Sequence, residues 1–282
     1  PWRSPHRAAR WATWGRALGG GGRVALFFGL THELDPARWV DRVTWRGVDA
    51  GIVVAHGAAR WYDAHGFGPR AKLHVLWKGV DLATFDAAQA GAAAVRAALG
   101  LRPDELAVGT VGRLAWQKGI DHLLAAVRLA RPRLPRARFF VIGGGRDAAG
   151  VAAAAAAPEL GGAVTLLGQR DDVPELLAAM DIVVQSSRQE VMAQTTLEAM
   201  AAGRAVVSTR TMGADEAIED GTSGILVAVG EPAALADAVV ALGADPGRRA
   251  ALGVAARARI AAEFTAARSL DRVEAILRVI CG

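Results

Sequence analysis

The sequence is poor in cysteine, in lysine and in long apolar runs. Its one cysteine, Cys281, excludes an internal disulfide framework. That usage fits a reducing compartment, so a cytoplasmic location is expected. No apolar run approaches the roughly 18 residues of a membrane span, and the alanine-rich stretch 151–157 sits in a segment of ordinary helix length. No charged-then-apolar signal segment follows the first residue, Pro1. A processed product, or a chain whose beginning is missing, is therefore expected. Also lacking are a nucleic-acid-binding motif and a repeat at solenoid spacing. Lysine occurs only at Lys72, Lys78 and Lys118 in a chain that otherwise uses arginine.

What is present can bury a substantial core: 282 residues, 52% hydrophobic, enough for one large domain or two smaller ones. The net charge of +5 is uneven, with residues 1–82 holding 12 Lys and Arg against 6 Asp and Glu. A basic front part can face anionic lipid, an anionic acceptor or nucleic acid, and arginine bias from a GC-rich gene gives the same pattern. Arg3, Arg7, Arg10 and Arg16 alternate with Trp2, Trp11 and Trp14. Such spacing suits a helix lying on a membrane surface, but a helix separated from its packing neighbours gives the same pattern and is the preferred reading.

From Arg23 onward short apolar runs alternate with helical spacing. Val24–Phe28, Gly51–Ala55 and Lys72–Leu76 read as strands, with helices over Pro36–Arg46 and Gly57–His65. Such alternation implies parallel sheet with helical crossovers. Three strands make a partial domain, 1–77, closed by a turn-rich join at Trp77–Asp81.

Six further strands are expected at Ala107–Val111, Arg138–Ile142, Val164–Leu167, Asp181–Gln185, Ala205–Thr209 and Gly224–Val227. With their helices they form one complete, open, doubly wound α/β domain over 78–265. The C-terminal helix, 266–282, is expected to pack back toward the first domain.

In open parallel sheets, ligands bind at the carboxyl ends of the strands, and here small or charged residues follow five strands. They are Gly112–Gly119, Gly143-Gly144-Gly145, Gly168-Gln169-Arg170, the loop bearing Glu190, and Thr211–Glu216. Arg113 and Lys118 bring two cations to this mouth. A helix expected over Gln194–Ala202 starts between Glu190 and Glu198, so its amide end lies beside two carboxylates. Amides hold anions and carboxylates accept from hydroxyls, a combination suited to a nucleotide sugar. Two glutamates alone would better fit a surface helix and its loop, and Arg113 and Lys118 could stand in a solvated turn, a reading that the agreement of five strand ends opposes.

Together these residues resemble the nucleotide-binding half of the family 4 retaining glycosyltransferases, of GT-B fold. The resemblance rests on Gly79-Val80-Asp81…Phe85, Gly112-Arg113-Leu114…Lys118-Gly119, Val141–Gly145, Gly168…Asp171-Asp172-Val173, Glu190…Glu198–Gly203 and Glu219-Asp220-Gly221…Gly224. It covers roughly residues 72–265, and residues 23–71 look like the last portion of the family's N-terminal domain. The resemblance implies that Arg113 and Lys118 bind the donor diphosphate, Glu190 the sugar hydroxyls and Glu198 the ribose hydroxyls. Gly112, Gly143 and the backbone at Met192, Ala193 and Gln194 would approach phosphate and sugar, and the segment at Arg170 the base.

It further implies a UDP- or GDP-linked donor, a glycan or lipid-linked acceptor and no cofactor; peripheral membrane contact is expected from the basic front part itself, and no nucleic acid from the lack of a binding motif. The family needs no metal, and no Asp-x-Asp pair stands here to hold one. Where the family commonly has Gly and Phe after the first glutamate, Val191-Met192 stands here, with consequences for the sugar pocket. Where it often has a histidine, Phe28-Gly29 stands, and His32 four residues on is the candidate. Roughly the first half of the N-terminal domain is expected to be missing. Two other readings are a sugar-nucleotide-binding remnant without activity and a nicotinamide-dependent oxidoreductase using Gly143-x-Gly145-x-x-Ala148.

Overall fold

The computed structural model describes residues 25–28, 48–66 and 73–281. The expected helix over Pro36–Arg46, the Arg/Trp stretch of 1–22 and His32 lie outside them. The chain divides into two compact units, Val80–Thr265 and one that joins the described residues up to Gly79 with those from Ala266 on.

The first unit carries strands β1 (Ala25–Phe28), β2 (Ala50–Val53) and β3 (Leu73–Val75), paired in parallel in that order. Helix α1 (His56–Ala64) follows β2 and buries Ala58, Ala59 and Tyr62. The C-terminal helix of the chain, α11 (Ala266–Cys281), belongs to this unit, where Ile276 and Ile280 pack with Ala50 and Leu76. Ser269 Oγ donates to the Trp77 carbonyl at 3.0 Å, and the Arg272 guanidinium lies 4.3 Å from the centroid of the Trp77 ring.

The second unit opens on helices α2 (Leu82–Gln89) and α3 (Ala92–Ala98), which the sequence pattern did not reveal. Alanine favours helix strongly but gives almost no contrast between apolar and polar faces, so the segment shows no period. Asp81 caps α2, its carboxylate accepting from the Ala83 amide and the Thr84 hydroxyl at 3.1 Å.

Then come β4 (Leu106–Val111), α4 (Ile120–Ala130), β5 (Ala137–Ile142), α5 (Ala148–Ala155), β6 (Val164–Gly168), α6 (Val173–Ala179) and β7 (Ile182–Gln185). They are followed by α7 (Gln194–Ala201), β8 (Ala205–Thr209), α8 (Ala214–Ala217), β9 (Ile225–Val227), α9 (Pro232–Ala244) and α10 (Pro246–Glu263).

The six strands are all parallel in the order β6-β5-β4-β7-β8-β9. Side-chain alternation divides the core. Val108, Phe139, Val141, Ile182, Val184, Ala205 and Val207 face α4 and α9. On the opposite face α6 packs with α2 and α3, and α7 with α10. Gly109 leaves room there for Met180, since a Cβ on it would stand 2.8 Å from the Met180 side chain. The strand order reverses at β4, which pairs with β5 on one side and β7 on the other. At that switch point the two crossovers diverge, and a crevice is left at the strand ends.

Candidate functional site

Two loops meet at this crevice: 112–119 after β4 and 186–193 after β7. The first ends in a short 3₁₀ turn, Trp116–Lys118, and turns into α4 through Gly119 at φ 59°. A Cβ on Gly119 would stand 2.2 Å from the Ser186 carbonyl oxygen, so both the left-handed backbone and the closeness of the loops require glycine. The Ser186 hydroxyl donates to the Lys118 carbonyl at 3.1 Å, and the Arg188 amide to the Gln117 carbonyl at 2.8 Å.

The 186–193 loop is anchored from beneath by buried polar groups. Gln185, Ser186 and Ser187 are buried. Gln185 Nε2 donates to Ser187 Oγ at 2.6 Å, Thr195 Oγ1 donates to Gln185 Oε1 at 3.1 Å, and Thr209 Oγ1 reaches the carbonyls of Gln185 and Ser187 at 3.2 and 2.6 Å. A buried network satisfied in this way holds one loop conformation. Met212 N donates to the Glu190 carbonyl at 3.2 Å, tying in the loop after β8.

This frame brings Lys118 and Glu190 into direct contact, with Lys118 Nζ bonded to Glu190 Oε1. Both side chains are only 16% exposed. The Lys118 side chain lies over Gly112, where a Cβ would stand 3.3 Å from its Cε. Arg113 is exposed and makes no hydrogen bond or ion pair among the described residues. Val191 and Met192 are buried, 6% and 2% exposed. Ala193 is the N-cap of α7 and offers no side-chain acceptor to the first-turn amides. Gln194 opens the helix, and half-buried Glu198 lies one turn further on.

Arg170 stands apart. It follows β6, the edge strand, and pairs through Nε and Nη2 with both carboxylate oxygens of Asp172 at 2.8 and 2.6 Å. That bond holds the Asp172 carboxyl below its ordinary value and raises Arg170.

Gly143 and Gly145 have a local explanation. A Cβ on Gly143 would stand 1.9 Å from the Gly112 carbonyl oxygen, and one on Gly145 2.4 Å from that of Leu114. The two loops bond backbone to backbone, with Gly112 N to Ile142 O at 3.0 Å and Leu114 N to Gly144 O at 2.9 Å. Their packing accounts for the glycine fingerprint without a dinucleotide.

Arg188 is a residue that sequence reasoning missed. It forms a two-pronged ion pair with Asp121, with Nη1 2.7 Å from Asp121 Oδ1 and Nη2 on Oδ2. Nη1 also donates to the Trp116 carbonyl at 3.0 Å, Nη2 lies 2.9 Å from His122 Nε2, and the guanidinium is 5.2 Å from the Trp116 ring centroid. Its position two residues before Glu190 was the one signal available.

A cavity of about 250 Å³ opens beside this cluster, lined in part by Trp116, Asp121 and Arg188, and another of about 440 Å³ lies in the first unit near Trp77 and Arg272. Neither is lined by Lys118 or Glu190. The crevice is therefore better located from strand order and side-chain contact than from cavity volume.

The family model of the group 1 glycosyl transferases matches residues 105–245, which contain every element of this crevice. Alpha-maltose-1-phosphate synthase of Mycolicibacterium smegmatis is 31% identical over 312 aligned positions, covering 95% of this chain and 78% of that protein. D-inositol 3-phosphate glycosyltransferase of Mycobacterium ulcerans is 36% identical over 226 positions, covering 75% of this chain and 46% of that one. Among solved structures, Anabaena Alr3699/HepE in complex with UDP-glucose superposes with a TM-score of 0.83 at 20% identity, over 96% of this chain and 76% of HepE. Sucrose-phosphate synthase of Thermosynechococcus elongatus gives 0.81 at 23%, over 96% and 71%. Both structural likenesses bear out the GT-B type of fold, and the sequence matches carry the family: the chain belongs to the group 1 glycosyl transferases.

Proposed function

We propose that the chain transfers a glycosyl group from a nucleoside diphosphate sugar to a glycan or lipid-linked acceptor, with retention and without a metal or other cofactor. The observation that carries this reading is the contact of Lys118 with Glu190 at the switch point. A cation for the diphosphate and a carboxylate for sugar hydroxyls there stand one bond apart, as the two halves of the donor require. Arg113, exposed and unpaired among the described residues, supplies a second cation, and Glu198 on α7 faces the ribose. Gly112, Gly143 and the backbone from Met192 to Gln194 approach the phosphates, and the segment at Arg170 approaches the base.

The departing diphosphate gains negative charge in the transition state, so cations and amides already in place act most strongly there. HepE was crystallised with UDP-glucose, which supports a uridine donor. His32 is proposed as the histidine near the donor sugar, and the basic front part as a peripheral contact with the inner membrane face of the cytoplasm. Among the described residues no helix is long and apolar enough to cross a membrane.

A thermal-shift panel of UDP-glucose, GDP-mannose and ADP-glucose tests the reading, because a bound ligand raises the midpoint by mass action. One member is expected to stabilise the wild-type chain and to lose that effect in Lys118→Ala. A midpoint that no member moves would overturn it.

A further inference from the structure

Arg188 makes more bonds across the two site loops than any neighbour, yet no role in donor binding accounts for it. Its backbone lies on the loop after β7, while each of its side-chain partners belongs to the segment after β4. Those partners are the Trp116 carbonyl, the Trp116 ring, both Asp121 carboxylate oxygens and His122 Nε2. Its own amide and that of Gln189 donate to one carbonyl, Gln117, at 2.8 and 3.3 Å. Gln117 immediately precedes Lys118, and Gln189 immediately precedes Glu190. The guanidinium is therefore a clamp two residues removed from each member of the Lys118–Glu190 pair, Arg188 preceding Glu190 and its partner Trp116 preceding Lys118 by that interval.

We infer that Arg188 is a positioning residue for transfer: it fixes the distance between Lys118 and Glu190 by locking loop 186–193 onto loop 112–119. The inference rests on the donor-site reading above.

Its chemistry explains why arginine stands here. The planar fork satisfies both oxygens of Asp121, keeps a proton for the Trp116 carbonyl and lies over the indole face, which a lysine ammonium cannot do together. Arginine has no acceptor, so His122 Nε2 must accept, which places the ring proton on Nδ1. That Nδ1 is buried without a partner among the described residues, so the ring is committed to the clamp at the expense of its other bond. The pair is also lopsided, with Arg188 17% and Asp121 66% exposed. The cation is thus embedded in the loops while its counter-ion stays wet, which suits a fastener more than a core element.

The test compares Arg188→Lys, Asp121→Asn, the double variant and Lys118→Ala in the full chain. One readout is donor turnover with the sugar nucleotide that the thermal panel selects. The other is amide exchange across 112–119 and 186–193. Arg188→Lys is expected to lower kcat by about 10- to 100-fold, as small misplacements of reacting groups do, with KM moved less than about threefold. The Arg188 and Gln189 amides should exchange at least about tenfold faster. Adding Asp121→Asn to Arg188→Lys should cost less than about twofold more, since the two share one function.

Unchanged kcat and unchanged exchange in Arg188→Lys would overturn the inference, and so would a fall in melting temperature alone. If Lys118→Ala also left turnover intact, the donor-site reading itself would fail. Lys118→Ala losing activity while Arg188→Lys kept it would remove only the clamp.

Discussion

Replacing Glu190 by glutamine separates two consequences that a simple site model would merge. In the chain, Lys118 and Glu190 are bonded to each other and both largely withdrawn from water. At about 4 Å and an effective dielectric near 20, such a pair attracts by about 4 kcal/mol before the cost of desolvation. A donor diphosphate bound at Lys118, as proposed above, would have to share that cation with the carboxylate. Glu190→Gln keeps shape and hydrogen-bonding capacity but removes the competing charge. A bare nucleoside diphosphate should then bind as well as before or up to about tenfold tighter, which is about 1.4 kcal/mol. Transfer should fall by about 10²- to 10³-fold, the cost of removing one preorganised group from a transition state.

The ligand-free variant should also be less stable, by about 1–3 kcal/mol, because the ammonium is left uncompensated. That loss corresponds to a midpoint lower by several degrees for a domain of this size. Calorimetric titration with the diphosphate, steady-state kinetics with the sugar nucleotide and a melting curve report the three terms. A diphosphate affinity weakened tenfold would refute the competition argument, and a kcat/KM within about threefold of wild type would remove Glu190 from the sugar.

Other outcomes follow from the same geometry. Arg113→Ala should lower kcat/KM at least tenfold, about 1.4 kcal/mol, while leaving the urea midpoint unchanged, since its side chain is exposed and unpaired among the described residues. Gly119→Ala forces a Cβ to within 2.2 Å of the Ser186 oxygen at φ 59° and should cost more than the about 1–3 kcal/mol of backbone strain alone, read from chemical unfolding. Thr209→Val removes the hydroxyl that serves the Gln185 and Ser187 carbonyls and should cost about 1–3 kcal/mol and loosen amide exchange in loop 186–193.

The bond from Arg188 holds the Asp121 carboxyl below its ordinary value against the opposing effect of partial burial. A depressed folded-state value means that its contribution is present above the unfolded value near about 3.9 and lost as pH falls through the folded one. The unfolding midpoints of wild type and Asp121→Asn should therefore differ by a constant amount above about pH 5 and converge below about pH 4.

Much of this is legible in the sequence. The strand Ala205–Thr209 appears with the bounds its pattern implied, and the helix expected over Gln194–Ala202 ends one residue earlier, at Ala201, because buried faces and neighbouring glycines punctuate them. Gly119 and Gly203, both at positive φ, mark such ends. The alanine helices α2 and α3 were missed for want of a period. Of the site, the two loops could be named because both follow strands, and strand order then decides which of five loops touch. Lys118 and Glu190 lie at the switch point and meet, whereas Arg170 follows the edge strand and bonds with its own neighbour Asp172. Arg188 was illegible because its partners, Trp116 and Asp121, are remote in sequence and carry no spacing that announces them.

Because β4 pairs with both β5 and β7, the two halves of the crevice are made at different times during synthesis. Lys118 leaves the ribosome 72 residues before Glu190, a lag of about 4 to 14 s at ordinary rates of elongation. Once β5 (Ala137–Ile142) has emerged within that interval, β4 has one neighbour but an open edge on the other side. A chaperone or a premature partner strand would find its opening there, and donor could bind only after β7 had filled that edge.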